Sequence, residues 1–108
     1  MKLFMFTAII FTMASTTVTA RTCRNNMEVC AIQYDEMYDY CSCSNGGCIK
    51  DDPYKVAVPG MSVFTCQQIS DFNICGQSQF VMKDPAYQIN CRCRDGRYKV
   101  VHGGIKCE

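Results

Sequence analysis

The chain has 108 residues, ten of them cysteine, with one histidine, no tryptophan and 19% charged side chains. That length allows one ordinary domain or two very small ones and excludes a large enzyme. Eleven Lys and Arg against ten Asp and Glu give a formal charge of +1, so no net charge marks a partner.

The first twenty positions carry Lys2, then the apolar run Leu3 to Phe11, then small polar residues ending Val18, Thr19, Ala20. This order is that of a secretory signal peptide over 1–20, with cleavage expected after Ala20. The apolar run is shorter than the roughly 20 residues that span a bilayer. A secreted, soluble mature chain starting at Arg21 is the expectation. Losing Lys2 balances that chain at ten cations and ten anions. Without net positive charge or an intracellular address, nucleic-acid binding is not expected.

Secretion passes the thiols through an oxidising compartment, and so high a cysteine content is typical of disulfide scaffolds. Five disulfides are expected among Cys23, Cys30, Cys41, Cys43, Cys48, Cys66, Cys75, Cys91, Cys93 and Cys107. Zinc would want C-x-x-C pairs and more imidazole. The close pairs here are Cys41 with Cys43 and Cys91 with Cys93, one residue apart, and His102 is the sole histidine. No metal and no other cofactor are expected.

The first unit, 21–60 with its linker, spaces its cysteines by six, ten, one and four residues. Asn25 followed by Glu28 reads as a helix N-cap with its reciprocal acid, and Met27, Cys30, Tyr34, Met37 and Cys41 recur at helical steps. A short helix is expected over Asn25 to Tyr40, with a strand over Val29 to Tyr34 as its rival. Tyr34 and Tyr38 are assigned to the core, while Asp35, Glu36 and Asp39 face solvent or a partner. Asn45-Gly46 after Cys43 suits a two-residue hairpin turn that would set Cys43 opposite Cys48, where a disulfide is geometrically allowed. Lys50 to Ser62, with Pro53, Pro59 and Gly60, reads as a connecting loop.

The second unit, 61–108, spaces its cysteines by eight, fifteen, one and thirteen residues. Both series open on Thr-Cys and both C-x-C pairs precede a turn signal, which argues for an internal duplication. Ser70 to Met82 parallels the first helix, although Gly76 costs about 1 kcal/mol in a helix interior; Asp84-Pro85 then marks a turn. Asp95-Gly96 is a strong hairpin signal. A two-residue turn there would oppose Arg94 to Arg97, Cys93 to Tyr98, Arg92 to Lys99 and Cys91 to Val100. Arg92, Arg94, Arg97 and Lys99 would then share one face as a cationic patch. Such a patch serves to bind carboxylates or anionic head groups, or as a solvated edge that discourages aggregation.

The fold class expected is therefore a small disulfide-rich α+β protein: two tandem five-cysteine units, each a short helix followed by a C-x-C β-hairpin. Five is odd. Either at least one disulfide joins the units, or one cysteine per unit bonds a second chain and the protein is a covalent homodimer. Nothing assembles a catalytic triad around His102, and the adjacent carboxylates Asp35-Glu36 and Asp51-Asp52 lack a further acid–base signature. The chain reads as a binder and not an enzyme.

The leader segments Met5-Phe6-Thr7 and Thr16-Thr17-Val18, with ten cysteines, two C-x-C pairs and this size, resemble the long conotoxin-like polypeptides of cone-snail venom. The chain lacks the pro-region ending in basic residues that short conotoxin precursors carry. Some long members are built from helices, which would agree with the Asn25 to Tyr40 helix. The resemblance implies a venom toxin that modulates a neuronal ion channel or receptor ectodomain of a target organism. The alternatives are a secreted protease inhibitor, presenting Asp95 to Arg97 or Lys50 to Pro59, or another extracellular binding module.

Overall fold

The computed structural model describes residues 21–108, and no α-helix occurs among them; the leader expected over 1–20 lies outside the described residues. Strands β1 (Val29–Gln33), β2 (Met37–Asp39), β3 (Lys55–Val58) and β4 (Met61–Thr65) form an antiparallel sheet in the order β2-β1-β4-β3. Strands β5 (Phe80–Lys83), β6 (Tyr98–Val101) and β7 (Gly104–Cys107) form a second, in the order β5-β7-β6. Single 3-10 turns occupy Asp52–Tyr54 and Ile69–Asp71.

Both expected helices are thus overturned, and the cause is visible in β1. The Asn25 side chain does accept from the backbone N–H groups of Met27 at 2.9 Å and Glu28 at 3.1 Å. It closes an Asx turn and starts no helix, because Glu28 bonds Arg21 and the Arg24 N–H. Four consecutive side chains, Val29 to Ile32, are then buried. A central strand with apolar material on both faces can bury all four. A β-bulge between Val29 and Ala31 puts Val29 and Ile32 in one core and Cys30 and Ala31 in the other. The bulge converts a period of two into a three-residue step, which imitates a helical stripe.

The Asp95-Gly96 turn closes, with the Gly96 N–H donating to the Cys93 carbonyl at 3.1 Å, but it joins no hairpin. Tyr98–Val101 pairs instead with Gly104–Cys107 across His102-Gly103, while Arg92 forms a parallel bridge with Ile74. The expected oppositions of Arg92 to Lys99, Cys91 to Val100, Arg94 to Arg97 and Cys93 to Tyr98 are not made. Cys43 and Cys48 do not bond each other either; Cys43 bonds Cys66 and Cys48 bonds Cys30. The expected linker Lys50 to Ser62 holds β3, the Pro59-Gly60 turn with Gly60 at φ 82° and the start of β4.

The five expected disulfides are present: Cys23–Cys41, Cys30–Cys48, Cys43–Cys66, Cys75–Cys91 and Cys93–Cys107. No cysteine is left for a covalent dimer. The bonds reveal a duplication different from the one expected, running over 22–66 and 74–107. Each copy begins with a parallel bridge, Thr22 to Ser42 or Ile74 to Arg92. Each ties its first cysteine to the first of the C-x-C pair at a Cα separation of 4.9 Å. A bulged strand then pairs with the last strand of a hairpin. The cysteine closing that hairpin returns to the second of the pair, at 5.5 and 5.4 Å. Alternate residues of an extended segment share a face, so C-x-C sends two bonds out side by side. A boundary between residues 60 and 61 would cut the β3–β4 hairpin. Cys43–Cys66, which crosses that boundary, lies within the first copy.

No disulfide joins the two copies; they share one apolar core. Val29, Ile32, Val56 and Val63 pack with Phe72, Val81, Met82, Ile89 and Ile105. Backbone bonds from Val29 N–H to the Tyr87 carbonyl at 3.0 Å and from Ile89 N–H to the Met27 carbonyl at 2.9 Å stitch the seam.

Cys30–Cys48 has no equivalent in the second copy, where buried Val81 sits in the bulge in place of Cys30. The double variant Cys30→Val, Cys48→Ala is therefore expected to keep the fold and the other four bonds, losing about 3 kcal/mol by loop entropy. Denaturation midpoints with mass mapping of the remaining disulfides check this; scrambled bonds would show that the fifth bridge guides the pairing.

Candidate functional site: a tyrosine-rimmed groove

Where the two sheets meet, their inner faces leave a groove of about 330 Å³. Its floor comes from alternate strand residues of both copies: Ile32 from β1, Met61 from β4, Met82 from β5 and Ile105 from β7. Val100 and Ile105 are directly opposed and Met82 faces Ile105 across the next strand pair, so these three share one sheet face. Two thioethers among the lining groups make the floor adaptable to an occupant.

The rim is aromatic. Tyr34 closes the β1–β2 turn, its N–H bonded to the Glu36 carbonyl at 3.0 Å, and stands edge-on to Tyr38 at 6.0 Å. Tyr87, on the segment after Asp84-Pro85, packs edge-on against Tyr40 at 5.4 Å. Burial and the neighbouring phenols push the Tyr40 hydroxyl up from its ordinary value. Tyr34, Tyr38 and Tyr87 are 53%, 48% and 45% exposed, and Val100 is 56% exposed. Aromatic bodies held at a surface with free hydroxyls are what binding surfaces use.

The core assignment of Tyr34 and Tyr38 is overturned. β1 and β2 do pair, but Tyr34 lies in the turn beyond their last paired residues, Gln33 and Met37, and Tyr38 lies on an edge strand. Of the acidic residues beside them, Asp35 and Glu36 are exposed and Asp39 pairs with Lys50 at 2.8 Å.

The four cations expected on one face are dispersed. Arg92 is held by the Phe72 carbonyl, to which its Nε donates at 2.9 Å. Arg94 borders a shallow polar hollow beside Cys75 and Cys107. Arg97 folds back on Asp95 at 3.2 Å, which with the Arg97 N–H holds the Asp95 carboxyl below its ordinary value. Lys99 stands opposite Lys106 on β6 and β7.

Sulfur triplets Cys23/Cys43/Cys66 and Cys75/Cys93/Cys107 lie within 4.8 Å of one another, but all six atoms are bonded as disulfides. They record the side-by-side bridges of each copy. His102 is exposed in the β6–β7 turn, and Asp52 pairs with Lys55 at 3.0 Å.

The groove was not legible as a site. Its residues come from separate segments of both copies, and the local patterns assign those they touch to other roles: Tyr34 to the core, Met82 to a helix, Asp84-Pro85 to a turn and Val100 to a hairpin. No family model, no curated protein and no solved structure matches the chain.

Proposed function

We propose that this is a secreted binding protein without catalytic activity, which engages a membrane ion channel or receptor ectodomain through the tyrosine-rimmed groove. The observation carrying this reading is the cluster of half-exposed tyrosines around an apolar floor, held by strands that disulfides brace on both sides. Such a surface loses little conformational freedom on binding. Ten paired cysteines accord with an extracellular setting. The toxin form of the proposal rests on the leader's resemblance to conotoxin precursors.

Recording currents and receptor responses from a panel of neurons tests it. Activity is expected, and the double variant Tyr34→Ala, Tyr87→Ala should lower potency by about 30-fold with an unchanged disulfide map, as for two anchors at the centre of an interface. Silence across the panel would remove the toxin reading, and an unaltered potency would remove the groove.

Protease inhibition is the second reading, favoured by exposed Arg94 on a turn clamped by Cys93–Cys107. Incubation with trypsin-like proteases separates the two. Cleavage after Arg94 without loss of protease activity rejects inhibition.

A further inference from the structure

The described residues include five lysines, and their partners divide them sharply. Lys50 and Lys55 each have a carboxylate within 3.0 Å. Lys83, Lys99 and Lys106 have none within 4 Å, and all three lie on the second sheet. Lys99 is directly opposite Lys106, and Lys106 is directly opposite Phe80, so their side chains leave the same face. The Lys106 ammonium sits 4.5 Å from the centre of the Phe80 ring and that of Lys83 sits 5.6 Å from it.

Lys99, Lys106 and Phe80 leave the sheet on the face opposite to Met82, Val100 and Ile105 of the groove floor, and only the Val101–Gly104 end of the β6–β7 hairpin reaches the groove from the lysine side. Asp84, next to Lys83 in the chain, lines the groove. Like charges directly opposed across two strands are unfavourable. The electron-rich face of Phe80 takes the ammonium groups of Lys106 and Lys83, and no carboxylate pairs with any of the three lysines within 4 Å. An anion laid across the three ammonium groups would turn that repulsion into attraction.

We propose that the Lys83, Lys99 and Lys106 face around Phe80 is a docking site for a sulfated polysaccharide. Neighbouring strands are about 4.8 Å apart, and Lys83 is in register with Gly104, two positions along β7 from Lys106. The charges therefore run diagonally over the three strands, Lys99 and Lys106 side by side and Lys83 two positions further along, a spread that suits successive sulfates on one chain better than a single anion. Lysine is a point charge without the planar fork that selects carboxylate geometry. The one aromatic ring of the face is covered by two ammonium groups, so it offers no wedge for a lipid bilayer. Because the face is opposite the groove floor, this site stands independently of the function proposed above.

Chromatography of the oxidised protein on immobilised heparin is the test. Retention at about 150 mM salt is expected, falling steeply as salt rises because bound cations are displaced. The triple variant Lys83→Gln, Lys99→Gln, Lys106→Gln should bind about tenfold more weakly at equal salt, while Tyr34→Ala, Tyr87→Ala is retained like the wild type. Removing opposed like charges does not threaten the fold, and disulfide mapping of the triple variant confirms it. No retention by the wild type would overturn the proposal. So would equal retention of the triple variant, or loss of retention in Arg94→Gln, Arg97→Gln instead. Binding to phosphatidylserine vesicles with no retention on heparin would reassign the face to a membrane.

Discussion

Replacing Gly104 with alanine is expected to be the most damaging single substitution outside the cysteines. Gly104 opens β7, the central strand of the second sheet, between Lys83 of β5 and Val101 of β6, at a φ of 150°. A Cβ there would fall inside the contact distance of the Met82 carbonyl oxygen, 3.0 Å from its carbonyl carbon and 3.1 Å from the Lys83 Cα. All three are backbone atoms of a paired strand, so nothing can rotate aside. Relief requires β5 to leave β7, which would open the shared core at Met82 and Ile105 together. Backbone strain and overpacking combine to more than about 3 kcal/mol. Thermal denaturation and the yield of correctly bridged protein measure the effect. Gly60→Ala is the control: its φ of 82° is also positive, but nothing lies within 4 Å of the added carbon, so about 1 kcal/mol is expected. Equal losses in the two variants would show that conformation and not contact matters at Gly104.

The second large effect is expected at Glu28, a residue 4% exposed whose backbone forms an antiparallel bridge with Gln88 at the seam between the copies. Arg21 meets the Glu28 carboxylate with two guanidinium nitrogens, and the Arg24 N–H donates to it at 2.6 Å. These bonds, the one from Arg21 first, outweigh the burial that opposes them and hold its carboxyl at about 2. Glu28→Gln keeps the shape but removes the charge and places an NH₂ against cationic donors. About 2 kcal/mol is expected, below the figure for a fully buried pair because Arg21 is half exposed to solvent. The Arg24 guanidinium, at 3.5 Å and 80% exposed, should matter far less, so Arg24→Gln is expected to be nearly neutral.

The same carboxylate sets an acid dependence. Its folded value lies below the unfolded one of about 4.3, so the unfolded chain binds the proton more readily, and the stabilisation is complete above that value. It fades as pH falls from about 4.3 toward 2. Denaturant midpoints of the wild type should decline over this window more than those of Glu28→Gln, whose curve lacks this contribution. Parallel curves would remove Glu28 from the acid response.

Particular residues show why part of the fold was legible and part was not. The turn signals after each C-x-C were readable because glycine after a polar residue closes a local loop wherever the flanking chain goes. Gly46 and Gly96 both donate back to the preceding cysteine carbonyl, at 3.2 and 3.1 Å. What those turns connect depends on remote strands, and here the hairpin partner of β6 lies beyond His102-Gly103. Similarly, Pro59-Gly60 was visible as punctuation, yet only the pairing of Val58 with Met61 makes it a hairpin and not a linker. The Asn25 to Tyr40 stripe misled because a bulge and a helix both place residues three apart on one face. Strand enrichment at Val29 to Ile32 was the better guide.

What the sequence by itself determined is the covalent character of the protein: ten thiols, a doubled C-x-C module and too little apolar side chain to do without cross-links. These follow from composition and short spacings, which any fold must respect. Only the tertiary structure decided which cysteine meets which, that both copies are sheets sharing one core, and that tyrosines gather on one side of the molecule and unpaired lysines on another. Those outcomes depend on register between strands dozens of residues apart, where a one-residue bulge changes the face to which a side chain points.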